Sequence, residues 1–273
     1  MSTTTPDAAT STAATRPPYG WMISDAVTIT WRNLKGMMRT PEVVVFSTIQ
    51  PIIFVLNFRY VFGGAIAGSL PPGVDYVDFL MPGIFVQTIT FGAIQSAVGM
   101  ATDLNTGLIE RFRSLAMSRS AVLAGRTLAD LVRSVFVIFL MLLVGFAVGF
   151  RIQTGIGGLI GAFIILLMFM FAMSWVFATV GLLIQNPEAA QAASFPVLAI
   201  FVFASSAFVP TSTMPDWLQV WADHQPVSVV TDAVRALVLG GPTASKVAAA
   251  IAWCVGIIVV FAPLAVARYR RSA

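Results

Sequence analysis

The chain has 273 residues, 58% of them hydrophobic and only 10% charged. A soluble domain of this size carries about a quarter charged residues, so a water-soluble enzyme is excluded. The net charge of +4 calls for no nucleic-acid partner, because the basic residues gather in a few polar stretches between long apolar ones, as membrane topology requires. Each helical crossing takes about twenty apolar residues, which leaves room for about six crossings and little else.

Residues 1–20 are rich in Ser, Thr, Ala and Pro and read as a disordered tail. No basic start followed by a short apolar run appears, so no cleavable signal peptide is expected. Residues 21–41 are expected to hold an interfacial helix. Val27, Trp31, Leu34 and Met38 form one stripe, and Asp25, Thr28, Arg32, Lys35 and Arg39 the other; Pro41 breaks the pattern. A helix with an aromatic-aliphatic face and a basic face lies in the plane of the membrane surface. A plain positive flank for the first span fits the same residues.

The first span is expected over 42–62 and contains Gln50, Pro51, Asn57 and Arg59. Arg59 is near enough to the outer end to snorkel to the surface. The second span is expected over 79–102, with Pro82, Gln87 and Gln95 inside it.

A polar island, Asp103 to Asp130, follows. It holds Glu110, Arg111, Arg113, Arg119 and Arg126, with Leu104, Leu108, Phe112 and Leu115 at helical spacing. A basic amphipathic helix between two spans lies at the cytoplasmic surface. It is either a topology-setting loop or a docking helix for a cytoplasmic partner, and charge alone does not separate the two.

The third span is expected over 128–150, with Asp130 and Arg133 at its inner end. The fourth, 156–184, is free of charge, and the fifth, 189–209, contains Pro196. Between the fifth span and the sixth, 247–267, residues 210–241 are neither span nor plain loop. Pro215 suits the first turn of a helix over 216–222, and Gln225-Pro226 breaks it. Val227, Val230, Val234 and Leu237 then form a second stripe, which Gly240-Gly241-Pro242 ends. Two short amphipathic helices would dip into the outer leaflet and return. Residues 268–273 close the chain with Arg268, Arg270 and Arg271.

With six spans both termini fall on one side. That side carries every basic residue except Arg59, Arg151, Arg235 and Lys246, so the positive-inside rule makes it the cytoplasm. Lys35 precedes Gly36 and Lys246 precedes Val247, so neither lysine sits in a Gly-Lys-Ser/Thr phosphate loop. No enzymatic activity is expected of the chain. The lone Cys254 rules out an internal disulfide, and with the lone His224 it makes no metal site.

Four segments carry a family resemblance. PIIFVLNFRYVFGG resembles the first span of a known permease family and its exit. GLIERFRSLAMSR in the island resembles the first cytoplasmic loop of ABC-2 type export permeases, above all the daunorubicin/doxorubicin-resistance subfamily. DFLMPGIFVQT resembles the opening of that family's second span. FVPTSTMPDWL with QPVSVVTDAVRAL resembles its re-entrant hairpin. Ala116 stands where many relatives carry proline.

The resemblance implies an all-α integral membrane fold: six transmembrane helices, an N-terminal connecting helix, a cytoplasmic coupling helix and an extracellular re-entrant hairpin. Leu108, Glu110, Arg111, Phe112 and Arg113 would couple to an ATP-binding subunit. Trp31, Arg32, Lys35 and Arg39 would belong to the connecting helix, and Pro215, Trp217, Pro226 and Arg235 to the hairpin. It also implies two ATP-binding subunits, which use ATP and Mg, and a second permease, identical or related, in contact with membrane lipid. This chain itself needs no cofactor.

The expected function is the membrane half of an ATP-driven exporter of a hydrophobic or amphipathic drug, antibiotic or lipid. Export of a polysaccharide or lipid-linked glycan is the alternative with the same fold, and a non-transporting scaffold is another. An ion-coupled transporter is disfavoured, because the expected spans hold ionisable groups only near their ends.

Overall fold

A computed structural model describes residues 41–66, 68, 70, 73–106 and 119–272. The expected connecting helix, up to Thr40, and the expected coupling residues 108–113 lie outside the described residues. Every regular element among those described is helical.

Helix α1 (Pro41–Asn57) continues through a π turn, Phe58–Phe62, into Gly63–Ile66. The second span comes as two helices, α2 (Tyr76–Gly92) and α3 (Ile94–Asn105), separated at Ala93. After residue 118 follow α4 (Arg119–Ala147), α5 (Ile156–Ile184), α6 (Pro187–Phe203), α7 (Asp216–His224), α8 (Pro226–Leu239) and α9 (Thr243–Ser272).

Five of these stretches are long and apolar enough to cross a membrane: 49–66, 76–105, 127–147, 156–184 and 243–269. The sixth apolar helix, α6, has 17 residues, the lower end of the range that spans a bilayer. It stops at Phe203, short of the expected Val209. From Ala204 the backbone turns to bond the hairpin: the Ser206 amide donates to Ser228 Oγ at 2.9 Å. The third span ends at Ala147 rather than 150. Gly149, at φ 102°, closes it with amide bonds from Gly149 to Phe146 O (3.2 Å) and from Phe150 to Gly145 O (2.9 Å), the paired bonds of a glycine-terminated helix.

The α2–α3 span is the centre of the bundle. Of its apolar stretch 89% is buried, against 17% to 39% in the other four. Its two halves share some neighbours and differ in others. The first half packs on α8, α4 and α1 and also touches α5 and α6; the second packs mainly on α5 and α6. α9 covers α5 and α8.

Three glycines let backbone meet backbone at these crossings. A methyl group on Gly83 would collide with Ala207 O, on Gly158 with Leu237 O, and on Gly181 with Ala97 O. Small residues serve helix packing in membranes because apolar side chains gain little there by leaving lipid.

The hairpin departs from expectation in its surroundings. α8 meets protein on nearly every side, with Val227, Val230, Thr231, Ala233 and Val234 all at 1% exposure or less. It is an internal element of the bundle, not a helix lying in a leaflet. α7 carries the exposed apolar surface of the pair, with Trp217 at 74% and Val220 at 64%.

Candidate functional site

A cavity of about 740 Å³ opens beside the turn between α7 and α8. Its walls come from α2, α5, α6, α7, α8 and α9. The lining includes five aromatic side chains, Phe177, Phe201, Trp221, Trp253 and Phe261, with Met173, Val197, Leu198 and Ile257 among the aliphatic ones. Phe201 and Trp221 lie with ring centroids 5.5 Å apart. The volume falls in the range of drug-sized ligand sites, about 300–1,000 Å³.

The polar groups on this wall are largely engaged by the protein. Thr90 donates its hydroxyl to Val86 O at 2.6 Å. Gln225 caps α8: its Oε1 accepts from the Val227 amide at 3.0 Å, and its Nε2 donates to Phe201 O at 2.9 Å and Ser228 Oγ at 3.1 Å. This cap fixes the foot of α8 against the end of α6. His224 donates from Nδ1 to Val220 O at 2.9 Å, which leaves Nε2 as its remaining polar atom. The cavity therefore suits a largely apolar, flat body.

Near the other end of α8, Arg235 fastens the hairpin to the start of the central span. Nε and Nη2 donate to Phe79 O at 3.3 and 3.1 Å, and Nη2 also donates to Ser206 O at 2.9 Å. Nη1 meets Asp232 at 2.8 Å, and the guanidinium lies 3.7 Å from the centre of the Phe79 ring. Asp232 in turn accepts from the Ser206 hydroxyl at 3.0 Å and from Lys246 Nζ at 3.2 Å. Burial pulls the Arg235 pKa down to about 10 against the opposing effect of Asp232, so the side chain stays cationic at neutral pH. Two more bonds tie the same end: Tyr76 donates to Phe208 O at 3.2 Å, and the Arg151 amide donates to Asp78 Oδ1 at 2.8 Å.

A second polar cluster sits at the break in the central span. Arg133 Nη2 donates to Gly92 O at 2.8 Å. Asp130 lies 3.7 Å from Arg133 through Oδ1 and accepts from the Ser96 hydroxyl through Oδ2 at 2.5 Å. Asp130 and Arg133 were expected at the inner end of the third span. They stand near that end of the apolar stretch 127–147, and their side chains reach the break in the second span.

Of the hairpin residues singled out by sequence, Pro226 lines the cavity as the first residue of α8. Pro215 caps α7, its carbonyl accepting from Leu218 and Gln219 at 2.9 Å each. Trp217 faces outward, and Arg235 belongs to the fastening away from the cavity. Sequence reasoning missed Asp232, Lys246 and Ser206, although Asp232 and Arg235 stand three apart, a helical pairing distance, in a chain poor in charge.

The profile of the family described as ABC-2 type transporter matches residues 25–239. The chain is 33% identical over 260 residues to the daunorubicin resistance ABC transporter permease protein DrrB1 of Streptomyces coeruleorubidus, covering 95% of this chain and 91% of that one. It is 27% identical over 244 residues to the doxorubicin resistance permease DrrC of Mycobacterium tuberculosis, with 89% and 87% covered. It is 29% identical over 215 residues to DrrB of the same organism, with 77% and 73% covered. A helical bundle with several membrane-length apolar spans is what such permeases require, and the likeness runs nearly the whole length of the chain: this protein belongs to the ABC-2 type transporter family, as a multi-pass membrane permease homologous to the Drr permeases.

Proposed function

We propose that this chain is the permease subunit of an ATP-driven exporter that carries a hydrophobic or amphipathic, aromatic compound out across the membrane. The observation that carries this reading is the chain-long likeness to permeases named for daunorubicin and doxorubicin resistance. The cavity adds the chemistry: aromatic walls with their polar groups already bonded favour a flat apolar cargo. A glycan would need many hydrogen bonds that such walls do not offer, so the glycan reading is weaker. Permeases of this family work with an ATP-binding subunit. Here two copies of it, using ATP and Mg, would dock at Leu108, Glu110, Arg111, Phe112 and Arg113 and at the helix bearing Trp31, Arg32, Lys35 and Arg39. A second permease, identical or related, would complete the assembly, with both termini cytoplasmic.

The test is uptake of daunorubicin into inside-out vesicles that contain the chain and its ATP-binding subunit. ATP-dependent uptake is expected, and the purified chain alone should hydrolyse no ATP. Val197→Trp, at a lining position that is 52% exposed, should leave the fold intact and reduce uptake by narrowing the cavity. Uptake of a lipid-linked glycan but of no aromatic compound across a panel would overturn the substrate class.

A further inference from the structure

The central span holds an observation that the exporter reading does not use. In an unbroken helix Gly92 O would accept from the amide of Ser96. Here the Ser96 amide donates to Ala93 O at 3.0 Å, one residue closer. In a bilayer no water is at hand to satisfy a carbonyl released this way. The side chain that serves Gly92 O is the Arg133 guanidinium, at 2.8 Å from another helix. Asp130 holds that guanidinium on one side and the Ser96 hydroxyl, just past the break, on the other. Ser96 is 1% exposed, and the side chains of Asp130 and Arg133 are 14% and 13% exposed. An ionisable pair with so little exposure is costly unless it does work. Thr88 and Thr90 donate their hydroxyls back to Ile84 O and Val86 O at 2.7 and 2.6 Å, contacts that bend helices, just before the break.

We infer that Asp130 and Arg133 are positioning residues for transport: they clasp the joint at Gly92–Ser96 and set the angle between α2 and α3. The two halves differ in what chiefly holds them, although α2 also touches α5 and α6. α2 is bound to the hairpin through Arg235, Tyr76 and Gly83, whereas α3 is bound to α5 and α6 and leads in sequence to the segment assigned above to the ATP-binding subunit. A tilt of α3 reaches the hairpin and the cavity through this joint. The role in transport rests on the exporter reading; the clasp itself does not.

The experiment therefore has two arms. In the first, spin labels are placed at Asp75→Cys and Asn105→Cys, both exposed and at opposite ends of the span, in a Cys254→Ala background, and the distance between them is measured in the full chain. Wild type should give one narrow distribution. Arg133→Leu should shift or broaden it, Ser96→Ala should do the same to a smaller extent, and Arg133→Lys should restore it in part. Unchanged distributions in Arg133→Leu and Ser96→Ala overturn the clasp. If Arg133→Leu does not accumulate, Ser96→Ala decides alone in the same way.

In the second arm the chain is assembled with its ATP-binding subunit. Arg133→Leu should lower ATP-dependent daunorubicin uptake about tenfold, within the usual span of coupling between sites, while the subunit still binds and hydrolyses ATP. Full uptake, or loss of hydrolysis together with uptake, overturns the positioning role. If the wild-type assembly takes up no probe, the exporter reading fails, and the label distances still decide the clasp.

Discussion

The chain buries two Asp-x-x-Arg pairs, and they do different work. Asp232 and Arg235 meet at 2.8 Å, with Lys246 on the far carboxylate oxygen. Asp130 and Arg133 stand 3.7 Å apart, with no second cation within bonding distance among the described residues. In both, the guanidinium donates to a carbonyl of the central span: Phe79 O at its start, Gly92 O at its break. The first pair is a fastening with contacts in several directions, and it locks two elements into one body. The second is sparse, and it sits where the span changes partners. The same spacing on a helix is thus read by what surrounds the arginine and not by the pair itself.

The comparison can be broken by substitution. Arg235→Leu should have the largest effect. It leaves Asp232 without its closest cation and Ser206 O without a donor, and removing one partner of a buried pair costs about 3–5 kcal/mol. Thermal unfolding in detergent should show a clear drop in Tm, and the hairpin should become open to proteolysis. Arg133→Leu should cost less, about 1–3 kcal/mol for an orphaned buried acceptor. If it lowers Tm as far as Arg235→Leu, the second cluster is a fastening too. Lysine sharpens the contrast. Its single ammonium cannot reproduce the fork of arginine, so Arg235→Lys should approach the leucine variant, while Arg133→Lys should stay near wild type. The smallest effect is expected for Lys246→Ala. Its side chain is 41% exposed, and such pairs contribute about 0–1 kcal/mol. A large fall in Tm there would mean that the rim, not Arg235, holds the hairpin.

The spans were legible because a bilayer asks for long apolar runs and little else. The charge-free stretch 156–184 has the bounds of α5, and the breaks at Pro215 and Gln225-Pro226 mark the start and end of α7. The interruption at Ala93 was not legible. TFGAIQ contains no proline, whereas Pro82, which does announce a break, lies within an intact α2. The contact of Asp130 and Arg133 with that break was hidden for a related reason. Position along a sequence gives distance from a helix end, but not where a neighbouring helix crosses. The cavity was beyond reach from sequence as well. Its lining comes from six helices, and each of its aromatic residues alone reads as ordinary span filler. For the hairpin, the stripe at Val227, Val230, Val234 and Leu237 pointed to an apolar face in the leaflet, and nothing in it revealed that Val227, Val230 and Val234, with Ala233 and Ala236 beside them, would be buried in protein.

The glycine contacts have a mechanical consequence. α5 touches the end of the hairpin at Gly158 and the second half of the central span at Gly181, in both places backbone against backbone. At such a point there is no flexible side chain to compress, so sliding of one element past the other meets steric resistance at once, whereas rotation about the contact does not. With a pivot near each end, about 35 Å apart at the rise of an α-helix, α5 behaves as a stiff strut between two bearings. An added methyl at either glycine would therefore have to push α5 off its neighbour at that end.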